Sequence, residues 1–402
     1  MRTIVFIGSQ QSGSSRDAIV AAGDIGFYTV LLTNRENYIE NRAEFPYVHE
    51  MIKTDIEDIN EIKNKVDFLK KQGKQICAIS SFVEPYVYTA AILGEEYRIP
   101  YQTPKAIATM LDKISMRELL RDTPYTPIFK TGHDCSVLNA EPRMHMPIVV
   151  KAPLSTGSKD VALARNRKEV EKQIFNLKKR YPEQKILLEE YLDGPQYLVE
   201  VLVHKGIPHI VAVVEQIVHG TRRFIIMGYR VPAKESDDLN KQIKDMVQVI
   251  VEKTGMKTGA FHIEFRVVNG QCNIIEVNPR ISGSAMNRMI NTAYGINLVQ
   301  QTLKSQMGQE PDLVRKCERY VFTQYVTVSE GGILQKVTGR KKASTCEGVD
   351  EIYVKPKIGA ILHAPTAMRH RYAYVLASAD SQEKAERVAH EAAKLIKFHI
   401  TP

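Results

Sequence analysis

The chain has 402 residues, 44% hydrophobic and 25% charged, a size and composition that predict two or three folded domains and exclude a disordered or fibrous protein. The net charge of +9 is spread along the chain, and basic runs such as Lys178-Lys179-Arg180 and Arg340-Lys341-Lys342 read as solvated surface, so no nucleic-acid partner is expected. The five cysteines are scattered without a C-x-x-C pair and no apolar run reaches membrane-spanning length, which argues against a zinc site, a disulfide framework and a membrane partner and reads as cytoplasmic.

Residues 3–7 are an apolar strand, too short for the apolar region of a signal peptide. "GSQQSGSS" follows, then a helical pattern over 16–25. The glycine loop lacks both the G-K-[ST] ending and the G-x-G-x-x-G spacing of phosphate-binding loops. A tight turn with Ser14 or Ser15 as helix cap is the favoured reading, with ligand binding as the alternative. Residues 28–33 and 76–80 are strands; 56–69, stopped by Gly73, and 85–97 are helices. This alternation predicts a parallel sheet with helices on both faces. Residues 100–104 (PYQTP) read as a linker, followed by a helix that contains Asp112 and Lys113. Residues 146–163 read as a strand, a small-residue loop and a strand. Three more strands follow, with a turn at Asp193-Gly194. A helix over 238–253 ends near Gly255. The last eighty or so residues mix strands with a terminal helix, for which Asp380 and Glu383 form a D-x-x-E capping pattern.

The stretch "AFHIEFRVVNGQCNIIEVNPR" reads as a hairpin whose register decides whether Glu264 and Glu276 cooperate. A two-residue loop, Asn269-Gly270, places Glu264 opposite Ile275 and turns Glu276 to the other face. A three-residue loop that includes Val268 places Glu264, Glu276 and Asn278 on one face, with Gly270 in the left-handed position of a bulged turn. That second register is the one expected. Two carboxylates and an amide on one face of apolar strands need a cation. Mg²⁺ or Mn²⁺ suits these hard oxygens; the alternatives are pairing with Arg266 and Arg280, or one glutamate pointing to solvent. Upstream, Lys113 and Lys151 are placed as phosphate contacts. Lys151 ends an apolar strand and precedes the small residues Ser155, Thr156, Gly157 and Ser158, whose backbone permits close approach of an anion.

The ordered set "DKISMREL", "VVKAPLSTGS", "LLEEYLDGPQYLVEV", "FHIEF" and "IIEVNPRISGS" resembles the ATP-grasp superfamily of carboxylate–amine ligases over essentially the whole chain. "VSEGGILQKVTG" and "RYAYVLASADSQEKAERVAHEA" resemble the C-terminal region of the branch containing L-amino acid ligases, which make dipeptides. The resemblance implies an α/β ATP-grasp fold, divided as an N-terminal parallel α/β domain (1–104), a linker helix with the small lid lobe (105–195) and a large lobe with a C-terminal subdomain (196–402). It implies ATP as cofactor with Mg²⁺ or Mn²⁺. Lys113 and Lys151 would contact the phosphates, and Ser155, Thr156, Gly157 and Ser158 would belong to a closing loop. Glu189, Glu190, Tyr191 and Leu192 would line the adenine pocket, with Gln196 near the ribose. Glu264, Glu276 and Asn278 would hold metal. Arg280, with the backbone of Ser282 and Gly283, would stabilise an acyl phosphate. Glu84 would recognise the amino group of the first substrate, and Tyr229 would stand on the substrate side.

Two positions depart from the family pattern. Gln196 replaces an acidic residue, and Tyr229 in "GYRVPA" stands where a histidine is usual. The implied reaction activates a carboxylate, that of an amino acid, with ATP and couples it to an amine. The implied partners are thus a small carboxylate and a small amine, and a homodimer is compatible with the family. A biotin-carboxylase-like or nucleotide-precursor ligase, or a non-catalytic ATP-binding protein, are the alternatives.

Overall fold

The computed structural model describes residues 1–99, 103–134, 136–137, 144–155, 160–219 and 224–401. The chain opens with β1 (Arg2–Ile7), α1 (Ser14–Asp24), β2 (Tyr28–Thr33), α2 (Glu36–Glu40), β3 (Glu50–Lys53), α3 (Ile59–Lys71), β4 (Gln75–Ser80) and α4 (Glu84–Glu96). The four strands form a parallel sheet in the order β3-β2-β1-β4, as the alternation predicts. Strands buried on both faces read as unbroken apolar runs, and Ile4, Val5, Phe6 and Ile7 are all inaccessible to solvent. The chain reverses direction across the sheet between β1 and β4. Loops beyond the carboxyl ends of strands at such a point flank a ligand crevice. The Gly8–Gly13 turn and Glu84, the first residue of α4, both lie there.

The expected cap of α1 is corrected. Gly13 (φ +82°) is the N-cap, and no side chain caps the helix. The Ser14 hydroxyl instead donates to Ser282 O at 2.7 Å, and Ser15 accepts from the N–H of Gln10 at 2.9 Å. The turn thus packs on the 282–284 loop, 268 residues away in sequence.

Next come α5 (Pro104–Leu111) and α6 (Lys113–Leu119). Asp112 does not sit inside one helix. It caps α6 by accepting from the N–H of Ile114, at the break between the two helices. The first residues of the PYQTP linker lie outside the described residues. An antiparallel sheet in the order β5-β8-β6-β7 follows, built from β5 (Phe129–Gly132), β6 (Ile148–Lys151), β7 (Val161–Ala164) and β8 (Ile186–Glu190). It is covered by α7 (Arg167–Arg180), whose Val170, Ile174 and Leu177 make one apolar stripe.

An eight-stranded sheet carries the rest, in the order β13-β12-β9-β10-β11-β14-β18-β16. Its strands are β9 (Gln196–His204), β10 (Ile207–His219), β11 (Ile225–Val231), β12 (Gly259–Val268), β13 (Gln271–Asn278), β14 (Tyr320–Val326), β16 (Val349–Val354) and β18 (Ala373–Ala379). On one face lies α8 (Asp237–Thr254), capped by Ser236 and ended by left-handed Gly255. Its Ile243, Met246, Val247, Ile250 and Val251 join Val199, Val201, Phe261 and Phe265 in one core. The opposite face packs against α9 (Met286–Tyr294), α10 (Leu298–Gln306) and α1. A smaller sheet, β17-β15-β19, is formed by β15 (Gly332–Thr338), β17 (Ile361–Leu362) and β19 (Lys397–Thr401). The terminal helix α12 (Gln382–Leu395) follows α11 (Arg340–Ser344), and its cap is Ser381 rather than Asp380, which pairs with Lys384.

Candidate active site

The Glu264–Glu276 hairpin decides the site, and its register differs from the one expected. The loop is the two-residue Asn269-Gly270, with φ of 51° and 79°, as a type I′ turn requires. Val268 pairs with Gln271. A bulge deeper in the hairpin then skips Ile275, so that Phe265 faces Ile274 and Glu264 lies directly opposite Glu276. The skip shows in the burial: Ile274 and Val277, three residues apart, both enter the α8 core. The carboxylates share a face, but through a bulge at 275 rather than an extra loop residue. Arg117 of α6, which is 1% exposed, holds this bulge by donating from Nη2 to Ile274 O (2.8 Å) and Ile275 O (2.7 Å).

The structure gathers the sequence-marked residues around a cavity of about 250 Å³ between the small and large sheets. At one end lie Lys113, Lys151, Ser155, Glu189, Glu190, Tyr191, Leu192 and Gln196; Thr156, Gly157 and Ser158 lie outside the described residues. Glu264, Glu276 and Asn278 stand along the middle. Glu84, Tyr229, Arg280, Ser282 and Gly283 line the remainder.

Glu189, expected to line an adenine pocket, is an ion-pair partner in the structure. Its buried carboxylate bridges Arg117 and Lys151. Burial alone would raise its pKa, but Arg117 and then Lys151 outweigh burial and hold it below the usual carboxylate range. Burial depresses Lys151, opposed by Glu189 and reinforced by the repulsion of Arg117. Lys113 donates to Ser155 O at 2.8 Å and lies 3.4 Å from Glu276.

His262 fixes the amide of Asn278. Its Nδ1 meets Arg280 O at 2.7 Å and so carries the proton. Burial, then the charge of Arg280, push the imidazole down to about 3, so the ring is neutral and Nε2 is an acceptor. The Nδ2 group of Asn278 therefore faces His262 (3.2 Å) and Glu276 (3.0 Å), which leaves its Oδ1 without a donor among the described residues. Burial and the facing Glu276 push Glu264 up to about 8. Glu276 goes down to about 2: burial opposes the change, and Lys113 with the Asn278 bond drives it. Two acids with one proton between them, beside this amide oxygen, are a donor set that a hard divalent cation fits. Among the described residues no group of three or more His, Cys, Asp and Glu side chains is placed to hold a metal. A cation held by the two glutamates and the amide would need further oxygens to complete its shell.

Gln196 belongs to a directed chain. Arg266 donates to Leu192 O (2.6 Å) and to Gln196 Oε1 (3.1 Å), Gln196 donates to Gln216 (2.7 Å), and Gln216 donates to Glu264 (3.3 Å). An amide both accepts and donates, as this link requires; a carboxylate would break it. Ser282 spends its N–H (2.9 Å) and its hydroxyl on buried Glu200, which burial raises to about 7. The Ser282 N–H is thus committed, and the open side of the loop is at Gly283, where an added Cβ would meet nothing within 4 Å. Arg280 pairs with Glu84, so a cation and an anion stand together in the cleft wall.

Sequence reasoning missed Arg117, Glu200 and Arg371, and it marked Arg266 only as a partner of the glutamates, whereas the structure ties Arg266 to the Leu192 carbonyl and Gln196. Arg117 was findable, since it follows Lys113 by four residues on one helical face. Nothing local marks Arg371.

Residues 144–288 match the ATP-grasp domain family, and residues 324–401 match the L-amino acid ligase C-terminal domain 2. The chain thus carries an ATP-grasp domain with an L-amino acid ligase C-terminal domain after it. This ATP-grasp chain superposes on an L-amino acid ligase from Bacillus licheniformis with a TM-score of 0.86 at 20% identity, covering 100% of this chain and 99% of that one. The biotin carboxylase domain of Hydrogenobacter thermophilus 2-oxoglutarate carboxylase, in complex with MgADP, ADP and bicarbonate, is similar with a TM-score of 0.75 at 17% identity, over 99% and 91% of the two chains. The uncharacterized protein y4rH of Sinorhizobium fredii is 24% identical over 340 residues, 81% of this chain and 69% of that protein. Among the described residues no helix is long and apolar enough to cross a membrane.

Proposed function

We propose that this ATP-grasp ligase converts an amino acid to its acyl phosphate with ATP and couples it to an amine, giving an amide or dipeptide, ADP and phosphate. The observation that carries the reading is one cleft in which a paired Glu264 and Glu276 lie between two lysines and the Arg280–Glu84 pair. The hinge backbone at Glu190–Leu192, with Val149, Leu198 and Ile275, forms an apolar slot for a base. Lys113 and Lys151 stand where a polyphosphate would follow. Glu264, Glu276 and Oδ1 of Asn278 would hold Mg²⁺, which when bound neutralises charge on the transferring phosphoryl group. The MgADP in the Hydrogenobacter neighbour supports this choice.

The amino acid would lie along the Arg280–Glu84 pair, ammonium toward Glu84 and carboxylate toward Arg280. That orientation aims a carboxylate oxygen at the γ-phosphorus. The O–P bond forms, the bond to ADP breaks, and charge on the acyl phosphate is met by Arg280 and the open face of Gly283. The amine nitrogen then attacks the acyl carbon; the C–N bond forms, the C–O bond to phosphate breaks, and the amine's proton leaves with phosphate or solvent. No protein nucleophile takes part. His262, neutral and bonded at both nitrogens, holds Asn278 and is not a base for the amine.

The C-terminal match to the L-amino acid ligase domain favours amino acids over bicarbonate as substrate. A phosphate-release screen with ATP, Mg²⁺ and pairs of amino acids, with products read by mass spectrometry, tests this. Release that needs bicarbonate, or that never depends on an added carboxylate, would defeat it.

A further inference from the structure

The turn "GSQQSGSS" gives α1 no side-chain cap and, among the described residues, gives the cavity no wall. It closes instead on the 280–284 loop. Ser14, 2% exposed, donates its hydroxyl to Ser282 O at 2.7 Å. Gly13, at φ +82°, lies so near that an added Cβ would stand 2.9 Å from Ser284 O. Behind the turn α1 is firmly seated, since its Ala18, Ala21 and Ala22 share a core with Met286, Met289 and Ile290 of α9.

The large sheet holds the same loop from the other side. Glu200 of β9 is inaccessible to solvent, and its Oε1 accepts from both the N–H (2.9 Å) and the hydroxyl of Ser282. Its Oε2 has no hydrogen-bond partner among the described residues. The charge of Arg280 acts on Glu200 without a direct bond. Burying a carboxylate is costly, and the donors that offset the cost here are those of Ser282. His262, opposite Glu200 on β12, takes Arg280 O, and Arg280 Nη1 donates to Ile281 O at 3.2 Å.

These anchors set a direction. The Ser282–Gly283 peptide is trans, so its C=O and N–H point opposite ways in one plane. Ser14 draws the C=O toward α1, which leaves the Gly283 N–H turned away from α1. Among the described residues nothing accepts a hydrogen bond from that N–H, and Gly283 lines the cavity. The preceding peptide plane is held at both ends, its N–H by Glu200 and its C=O by Arg280.

We propose that Ser14 and Glu200 are positioning residues that set the Ser282–Gly283 peptide so that the Gly283 N–H donates to the negative charge developing on the acyl phosphate. The inference rests on the ligase reading above, and it gives the N-terminal turn a part in the chemistry without contact to a substrate. Such a donor stabilises a transition state only when it is aimed beforehand, and a small misplacement is felt in the rate.

The test measures kcat and the KM for MgATP with the amino acid pair that gives the greatest phosphate release, and again with hydroxylamine, which traps an acyl phosphate as a hydroxamate. Ser14→Ala should lower kcat about tenfold with either nucleophile and leave the KM for MgATP within about twofold. Glu200→Leu should lower kcat by about 10², and Glu200→Gln, which keeps an acceptor oxygen for Ser282, should lose less. Ser15→Ala removes a hydroxyl from the same turn, one that accepts from the N–H of Gln10, and should keep kcat within about twofold. A kcat for Ser14→Ala within about twofold of native, an equal fall in Ser15→Ala, or a loss confined to one nucleophile would overturn the assignment and leave the ligase intact. A Glu200→Gln enzyme as slow as Glu200→Leu would overturn the part given to Glu200, and if Glu200→Leu does not fold, Ser14→Ala and Glu200→Gln carry the test. Absence of hydroxamate from every carboxylate tested with the native enzyme would overturn the ligase reading, and this inference with it.

Discussion

Arg117→Met is the substitution that most directly probes how the cleft is built. It removes a 1% exposed guanidinium that pairs with Glu189 and donates to two carbonyls at the Ile275 bulge. Breaking one partner of a buried ion pair costs about 3–5 kcal/mol. Lys151 stays beside Glu189, which favours the lower end. The carbonyl of Ile274 loses its donor in the interior, at about 1–3 kcal/mol, whereas Ile275 lines the cavity, where water replaces the bond. Because methionine restores part of the apolar packing, the net expectation is about 4 kcal/mol. The lobes melt at a temperature lower by roughly 5 °C or more in a thermal scan. A second effect is sharper. Without the bulge the two-residue loop dictates a register in which Glu276 leaves the face of Glu264. KM for MgATP should then rise at least about tenfold, and Arg117→Lys should recover only part of the loss. If Arg117→Met melts within about 1 °C of the native protein and its KM for MgATP is unchanged, the bulge is held instead by the 2.8 Å bond from Ile274 N–H to Tyr125 O.

Glu276→Gln and Glu264→Gln should each lower Mg²⁺-dependent ADP formation by about 10² or more, and equal activity in either variant at saturating Mg²⁺ would count against the paired-carboxylate site. The pH dependence has a definite sign. Glu264, raised to about 8, is protonated in the free protein at neutral pH, so this group weakens the fold progressively as pH rises from the ordinary carboxylate range toward 8. A cation must displace that proton. Calorimetry in two buffers of different ionisation heat should show about one proton released per MgATP bound at pH 7, falling toward zero above pH 8, and no release in Glu264→Gln. Gly194→Ala places a Cβ 2.0 Å from Val267 O, a contact with backbone on both sides. It should displace the hinge and lower stability by about 3 kcal/mol, read as a lower urea midpoint.

The parts of this molecule written in short-range pattern were legible. The parallel sheet follows from apolar runs in strict alternation with helices, and α8 from its apolar stripe, Ser236 and Gly255. The edge strand β3 was missed because "EMIK" has charge at both ends and little run between them. Caps misled where a hydroxyl had a distant claim on it. Ser14 looks like an N-cap until Ser282 is beside it, and no spacing in the sequence links positions 268 residues apart. The hairpin was read to the right face by the wrong route. An extra residue in the loop and an extra residue at 275 are equivalent for everything beyond the bulge, and the contacts that favour the second, from Arg117 and Tyr125, come from distant segments.

The choice of bulge has a consequence for function. A wide loop would place the irregularity at the exposed tip, away from the cleft. At 275 it sits between the carboxylates and the lysine side of the cleft, gripped by the same arginine that holds Glu189 and, through it, Lys151. A second route, Leu192 to Arg266 to Gln196 to Gln216 to Glu264, joins the hinge to the facing carboxylate. The hinge that would meet the base and the lysine that would meet the phosphates are thus each tied to one half of the carboxylate pair. A neutral amide at 196 extends such a chain, whereas a glutamate there would end it at Arg266. Exchanging Gln196 for the acid usual in the family therefore changes the support of Glu264 as well as the cavity wall. In Gln196→Glu the Gln216 amide loses its donor partner, two like charges approach along the cleft floor, and affinity for MgATP should fall rather than rise despite the return of the family residue.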